Sequence, residues 1–333
     1  MPNRDKILIT VVALVSLAII FSQNHGVIAA GGISSELGSF DRSFTVAAPA
    51  QLNIENSSGS VNIRRGVTDK VEVHGVVSGH SWFGDLRDQA EKIIKDPPVE
   101  QNGNTVRIHR PEPHDWFNNI SIRYDITVPE ETTVNSRTGS GSQTVAYVKG
   151  PVTLHSGSGS VTVTSVGAET DASTGSGSIT LQDVNGPVKV QTGSGSVRAD
   201  GIAGAFRGHT GSGSIDLRQT APGDVDAQTG SGHIKLENIS GALKARAGSG
   251  SIRIDGRPAN EWTVHSGSGS IDIRIAGDAG LDLYARTSFG SVDVGVPITL
   301  EAGAMNKREV RGKIRGGGAR VEATTGSGTI HVE

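Results

Sequence analysis

The sequence predicts an all-β chain wound into a parallel solenoid. Three observations predict it: a repeat of fixed length, apolar residues in the same places within each repeat, and glycine at 46 of 333 positions, roughly twice the ordinary share. The string Thr/Ser-Gly-Ser-Gly-Ser, with one residue changed in the copies at Gly230, Gly248 and Gly326, recurs with its first glycine at Gly139, Gly157, Gly175, Gly193, Gly211, Gly230, Gly248, Gly267 and Gly326. A degenerate copy, Ser288-Phe289-Gly290-Ser291, lies between the last two, and the interval left over predicts one worn copy near residues 300–320, for about ten coils in all.

Each copy continues Ser, apolar, variable, apolar. The first apolar column reads Val161, Ile179, Val197, Ile215, Ile234, Ile252, Ile271, Val292, Ile330, and the second runs from Val163 and Leu181 to Val332. Strict alternation is the period of a strand with one buried face. A second glycine column (Gly167, Gly186, Gly204, Gly223, Gly241) marks the opposite turn, followed by another alternating run such as Val188-Lys189-Val190-Gln191. A coil this short cannot bury its apolar columns alone. Stacking coils at ~4.8 Å does so and gives a rod roughly 48 Å long. Whether a coil holds two strands or three is left open, because Thr-Gly-Ser-Gly-Ser could itself be a short strand. The hydroxyl residues before the first glycine (Ser156, Thr174, Thr192, Thr210, Thr229, Ser266, Thr287, Thr325) are expected to form ladders along the rod. A hexapeptide helix fails, since counting by six from Ile179 lands on Asn185 and Gln191. A calcium roll fails because the would-be ligand column carries Thr, Arg, Lys or His in most coils.

The start of the chain reads as an export signal. Arg4 and Lys6 precede an apolar run from Ile7 to Phe21, and small residues Ala29 and Ala30 follow. Residues 1–30 are therefore expected to be a signal peptide or an N-terminal membrane anchor. Residues 31–138 are expected to be a β-rich capping region. Within it, 84–95 place Leu86, Ala90, Ile93 and Ile94 on one helical face, ended by Pro97-Pro98. Ser58-Gly59-Ser60-Val61 looks like a single early copy of the repeat. Residues 139–333 are expected to be the solenoid. The chain ends soon after the strand pattern of Ile330-His331-Val332, so the last rung is expected to lie bare, open to end-to-end self-association through 329–333.

Composition excludes several functions. With no cysteine there is no disulfide, thiol nucleophile or Fe–S ligation, and a formal net charge of −3 gives no basic face for nucleic acid. Ten equivalent glycine loops leading into strands do not make a phosphate-binding loop. No catalytic residue, cofactor site or metal site is expected. The candidate binding face is one outward column two places before the first glycine of each coil: Arg137, His155, Gln191, His209, Arg246, His265 and Arg286. A locally basic run (Lys307, Arg308, Arg311, Lys313, Arg315, Arg320) is expected to be solvated.

The repeats, the entry from Phe44 to Ile63, the single helix, the degenerate Arg286-Thr287-Ser288-Phe289-Gly290-Ser291-Val292-Asp293-Val294 and the late Arg311-Gly312-Lys313-Ile314-Arg315-Gly316-Gly317-Gly318 resemble a bacterial adhesin-like exported family, domain of unknown function 4097. The resemblance implies a right-handed parallel β-solenoid at the cell envelope, in the periplasm, on the surface or outside the cell, and it implies no active site. The reading is an exported, non-enzymatic scaffold or adhesin-like rod that binds an envelope glycan or a surface protein. Two alternatives stand beside it, a carbohydrate-active β-helix lyase or hydrolase and a membrane-tethered envelope-stress accessory protein.

Overall fold

A computed structural model describes residues 34–67, 69–80, 86–111 and 119–333, and Ser34–Glu333 form one compact unit. The expected signal or anchor (1–30) lies outside the described residues, as do positions 84 and 85 of the expected helix.

The chain builds two long sheets whose inward faces share one apolar core. It begins with β1 (Ser34–Thr45), β2 (Ala50–Ser58), β3 (Val61–Arg65) and β4 (Lys70–His80), then helix α1 (Arg87–Lys95), then β5 (Val99–Asn102), β6 (Thr105–Ile108), β7 (Ile120–Val128), β8 (Thr132–Ser140) and β9 (Gln143–Ala146). The regular coils run from β10 (Val152–Ser158) and β11 (Val161–Val166) to β22 (Trp262–Ser268) and β23 (Ile271–Ile275), with successive strands alternating between the sheets. The chain closes with β24 (Leu281–Phe289), β25 (Val292–Val294), β26 (Ile298–Asn306), β27 (Glu309–Ile314), β28 (Ala319–Ser327) and β29 (Ile330–Val332). Each coil thus holds two strands, one per sheet. The first half of Thr-Gly-Ser-Gly-Ser ends one strand, and the second glycine makes the corner.

The stacking is parallel and in register. Val161 pairs with Ile179, Ile179 with Val197, and Val197 with Ile215, all fully buried. The two corner glycines are required by the same stacking. A Cβ on Gly211 would sit 2.6 Å from the Gly193 carbonyl oxygen, and one on Gly213 (φ +149°) 2.1 Å from that of Gly195. No side chain fits between rungs there. The 19-residue spacing between Gly211 and Gly230 is absorbed by a bulge around Gln219, whose buried amide donates to the carbonyl of Gly204 at 2.9 Å.

The buried hydroxyls do not form the expected ladder. Thr174, Thr192, Thr210 and Thr229 each donate 2.8 Å to the corner glycine carbonyl of the preceding coil (Gly159, Gly177, Gly195 and Gly213). Only Thr138 donates to the next hydroxyl, Ser156, at 3.2 Å. A carbonyl turned inward at a tight corner needs a donor, and a β-branched hydroxyl facing the core is the nearest one. The resulting bond runs from coil to coil, so the column staples rungs together.

The order of coils departs from the order in sequence at both ends. β2 and β3 lie between the coil β6–β7 and the coil β8–β9. β28 and β29 lie between β22–β23 and β24–β25. This corrects the expectation of a bare last rung: Ile330–Val332 pairs with Ile271–Ile273 on one side and Val292–Val294 on the other. The worn copy expected near 300–320 is likewise no coil, because Ile298–Asn306 and Glu309–Ile314 form an antiparallel hairpin flanking β24. At the other end, β1 and β4 are antiparallel and α1 packs on both, burying Ala90 and Ile93. The expected boundary at 138/139 marks no change of architecture, since β8 runs through it within the same sheet as β2 and β10. Among the described residues, antiparallel pairing occurs only toward the two ends of the stack, where parallel edges would otherwise offer open hydrogen bonds.

Candidate polar face and cleft

The outward column expected from sequence is a physical line on the 15-stranded sheet. Arg137 pairs with His155, His155 with Ser173, Ser173 with Gln191, Gln191 with His209, His209 with Gln228, Gln228 with Arg246, and Arg246 with His265. The structure inserts Thr324 between His265 and Arg286, because β28 intervenes. The neighbours on either side of each position, a core residue before it and in most coils a hydroxyl residue after it, are buried, so strand alternation alone turns this column to solvent. His265 is held by the Thr324 hydroxyl, with Nδ1 at 3.0 Å from Oγ1.

At its N-terminal end the column enters a polar cleft of about 710 Å³. Arg137 and His155 line it, but His209, Arg246, His265 and Arg286 do not. The cleft also takes in Glu55 and Asn53 from β2, Asn135 from β8, and Glu100 and Arg107 from the edge hairpin of β5 and β6. These residues were missed because 31–138 reads as a cap. One signal was available. The column residue lies three places before the first serine of the repeat, and the same count back from Ser58 reaches Glu55, which pairs with Arg137.

The other outward faces carry cross-rung ion pairs. Arg218 contacts Glu237 at 3.1 Å and Asp200 at 3.8 Å, and Arg274 contacts Glu333 at 2.6 Å. Lys235 and Arg218 hold the Glu237 carboxyl below its ordinary range, as Arg274 does for Glu333. Glu333 reaches Arg274 across 59 residues of chain only because β29 is inserted beside β23. Of the locally basic run, Arg311 stacks 4.6 Å over the Tyr284 ring and Arg320 pairs with Glu322 at 2.9 Å. Deep in the core, burial pushes the Tyr124 phenol up, so it stays neutral. Among the described residues, no group of His, Asp and Glu is placed to hold a metal ion, and no helix is long and apolar enough to cross a membrane.

Repeats, corner glycines and capped ends agree with a family profile, Toastrack DUF4097, that matches residues 49–333. The chain belongs to the Toastrack family. That match covers the described coils from β2 onward, so the two-sheet stack is the Toastrack domain itself. No curated protein matches this Toastrack chain. Among solved structures, a "putative cell adhesion protein" from Clostridium sporogenes is similar over 89% of this chain and 99% of its own, at 13% identity and a TM-score of 0.25.

Proposed function

We propose that this Toastrack chain is an exported, non-enzymatic rod of the cell envelope, right-handed in its coiling, that binds a surface polymer or a surface protein along its outward polar column. One observation carries this reading. A single file of polar side chains runs in register from Glu55 to Arg286 on a backbone locked rung to rung. Such a line fits a partner that is itself extended. The stack holds these side chains at fixed spacing, so little ordering entropy is lost when a long ligand lies across them. The segment from Ile7 to Phe21 would deliver the rod across the membrane, and intact mass spectrometry of membrane and soluble fractions decides between cleavage and retention as an anchor. Co-sedimentation with purified peptidoglycan, with lipopolysaccharide-bearing vesicles and with host matrix protein tests the binding reading. Retention by at least one of these is expected, and failure to bind any of them defeats the proposal.

A second reading is favoured by one feature. Glu55 and Glu100 border the same cleft, and glycoside hydrolysis uses two carboxylates across a bound sugar. Release of reducing ends from a polysaccharide panel, abolished by Glu55→Gln and Glu100→Gln, would make the rod an enzyme.

A further inference from the structure

The cleft at the N-terminal end gathers four charged side chains, Glu55, Glu100, Arg107 and Arg137, around one space. Where opposite charges meet across neighbouring rungs elsewhere, they close: Lys189 and Asp171 at 2.9 Å, Arg253 and Asp272 at 3.6 Å, Arg198 and Asp216 at 3.9 Å. In the cleft, Glu55 stands in register with Arg137, and Glu100 with Arg107, on strands adjacent in the sheet. Neither pair forms a salt bridge, while both arginines and both glutamates line the same space. Adjacent strands lie only about 4.8 Å apart, so distance does not keep these partners apart. The amides between them are arranged differently. Asn135 donates 3.1 Å to Asn53, and the two form a row with Arg107 on one side and Thr153 on the other.

We infer that this cleft binds an acidic oligosaccharide, with Arg107 and Arg137 holding its anionic groups and Glu55 and Glu100 accepting from its hydroxyls. A guanidinium offers two parallel donors that match a carboxylate or phosphate oxygen pair. An ionised glutamate only accepts and so needs hydroxyl or amide donors. Few ligands supply both in alternation, and a sugar chain carrying acid groups does so on every unit. Amide side chains serve either role, which suits the ring hydroxyls between the charged groups. The cleft volume, about 710 Å³, holds a few sugar units. The inference rests on the polymer-binding reading above and sharpens it, placing the specific contacts at the β5–β8 end and leaving the remaining column as a track for the rest of the polymer.

The test is titration calorimetry on the exported rod with three probes: a hexuronate oligomer, a phosphate-bearing glycan fragment and a neutral β-glucan of equal length. The acidic probes are expected to bind, with affinity falling as salt rises, and the comparison between them shows whether carboxylate or phosphate is preferred. Arg107→Met and Arg137→Met are each expected to weaken binding roughly tenfold or more, as the loss of a charged hydrogen-bond pair predicts. Arg253→Met, on the opposite sheet and away from both the cleft and the column, is expected to leave it unchanged. Circular dichroism confirms that each variant folds. Equal binding of the neutral glucan, or full affinity in both cleft variants, overturns the inference. A wild-type rod that sediments with envelope polymer yet binds no acidic probe overturns the ligand class alone, and one that binds neither removes the polymer-binding reading as well.

Discussion

Replacing Gly213 with alanine tests the stacking most directly. The added Cβ would lie 2.1 Å from the Gly195 carbonyl oxygen and 2.6 Å from its carbon, so the two rungs must part by roughly 1 Å to reach ordinary contact. The rungs are tied at this point by the Gly213 amide to Ser231 at 2.8 Å and the Gly195 amide to Ser212 at 3.0 Å. The φ of +149° adds backbone strain for any residue with a Cβ. Strain of 1–3 kcal/mol, overpacking of similar size and one weakened hydrogen bond of about 1 kcal/mol sum to roughly 3–7 kcal/mol. That is a large share of the roughly 5–15 kcal/mol that ordinary domains possess. Because a solenoid is stabilised coil by coil, the loss should appear as a split urea transition, with the rungs on either side of Gly213 unfolding separately. The control is Gly103→Ala, where φ is +57° but nothing lies within 4 Å of the new atom, so only about 1–2 kcal/mol of left-handed strain applies. If the two variants unfold with the same midpoint and a single transition, close approach of rungs is not the reason for the glycine and the argument fails.

Other outcomes follow from the same geometry. Gly208→Ala is expected to destabilise by about 1–3 kcal/mol, because its Cβ would lie 2.6 Å from the Phe206 ring, and Phe206→Val should rescue it in a double-mutant cycle of urea midpoints. Thr210→Val removes the donor to the Gly195 carbonyl and should cost about 1–2 kcal/mol, whereas Ala247→Thr, at the one buried position of that column lacking a hydroxyl between Thr229 and Ser266, should gain about 1 kcal/mol by chemical denaturation. Deleting residues 319–333 withdraws a coil from between two others, so limited proteolysis should cut 276–318 rapidly, while a terminal rung would have been lost without that effect. The carboxyls of Glu237 and Glu333 titrate below their usual value, so the stability they confer is complete above the ordinary carboxylate pKa and is lost as pH falls through their lowered folded values. Arg274→Gln should therefore flatten the acid end of the stability–pH curve, and an unchanged slope would show that the Glu333 pair contributes nothing.

Much of the fold was legible in the sequence because each coil repeats one solution. The alternation Ile179, Leu181 and Val197, Ala199 marks the inward face, and the glycines mark places where a Cβ has no room. The outward column from Arg137 to Arg286 follows from the same alternation. The cleft was harder to read. Glu100 and Arg107 sit on a short hairpin with no repeat signature, and they meet Glu55 and Arg137 only through sheet pairing between strands separated in the chain.

The amino-acid sequence by itself determined the period, the register and the choice of inward and outward residues, because these depend on side-chain pattern within a single coil. The tertiary structure decided which coil lies on which. Most coils offer the same apolar columns and the same glycine corners, so the repeat pattern by itself does not place β28–β29 between β23 and β25 rather than beyond them. The choice falls to the ends, where the hairpin of β26 and β27 and the pair β1 and β4 close off edges that parallel stacking leaves open.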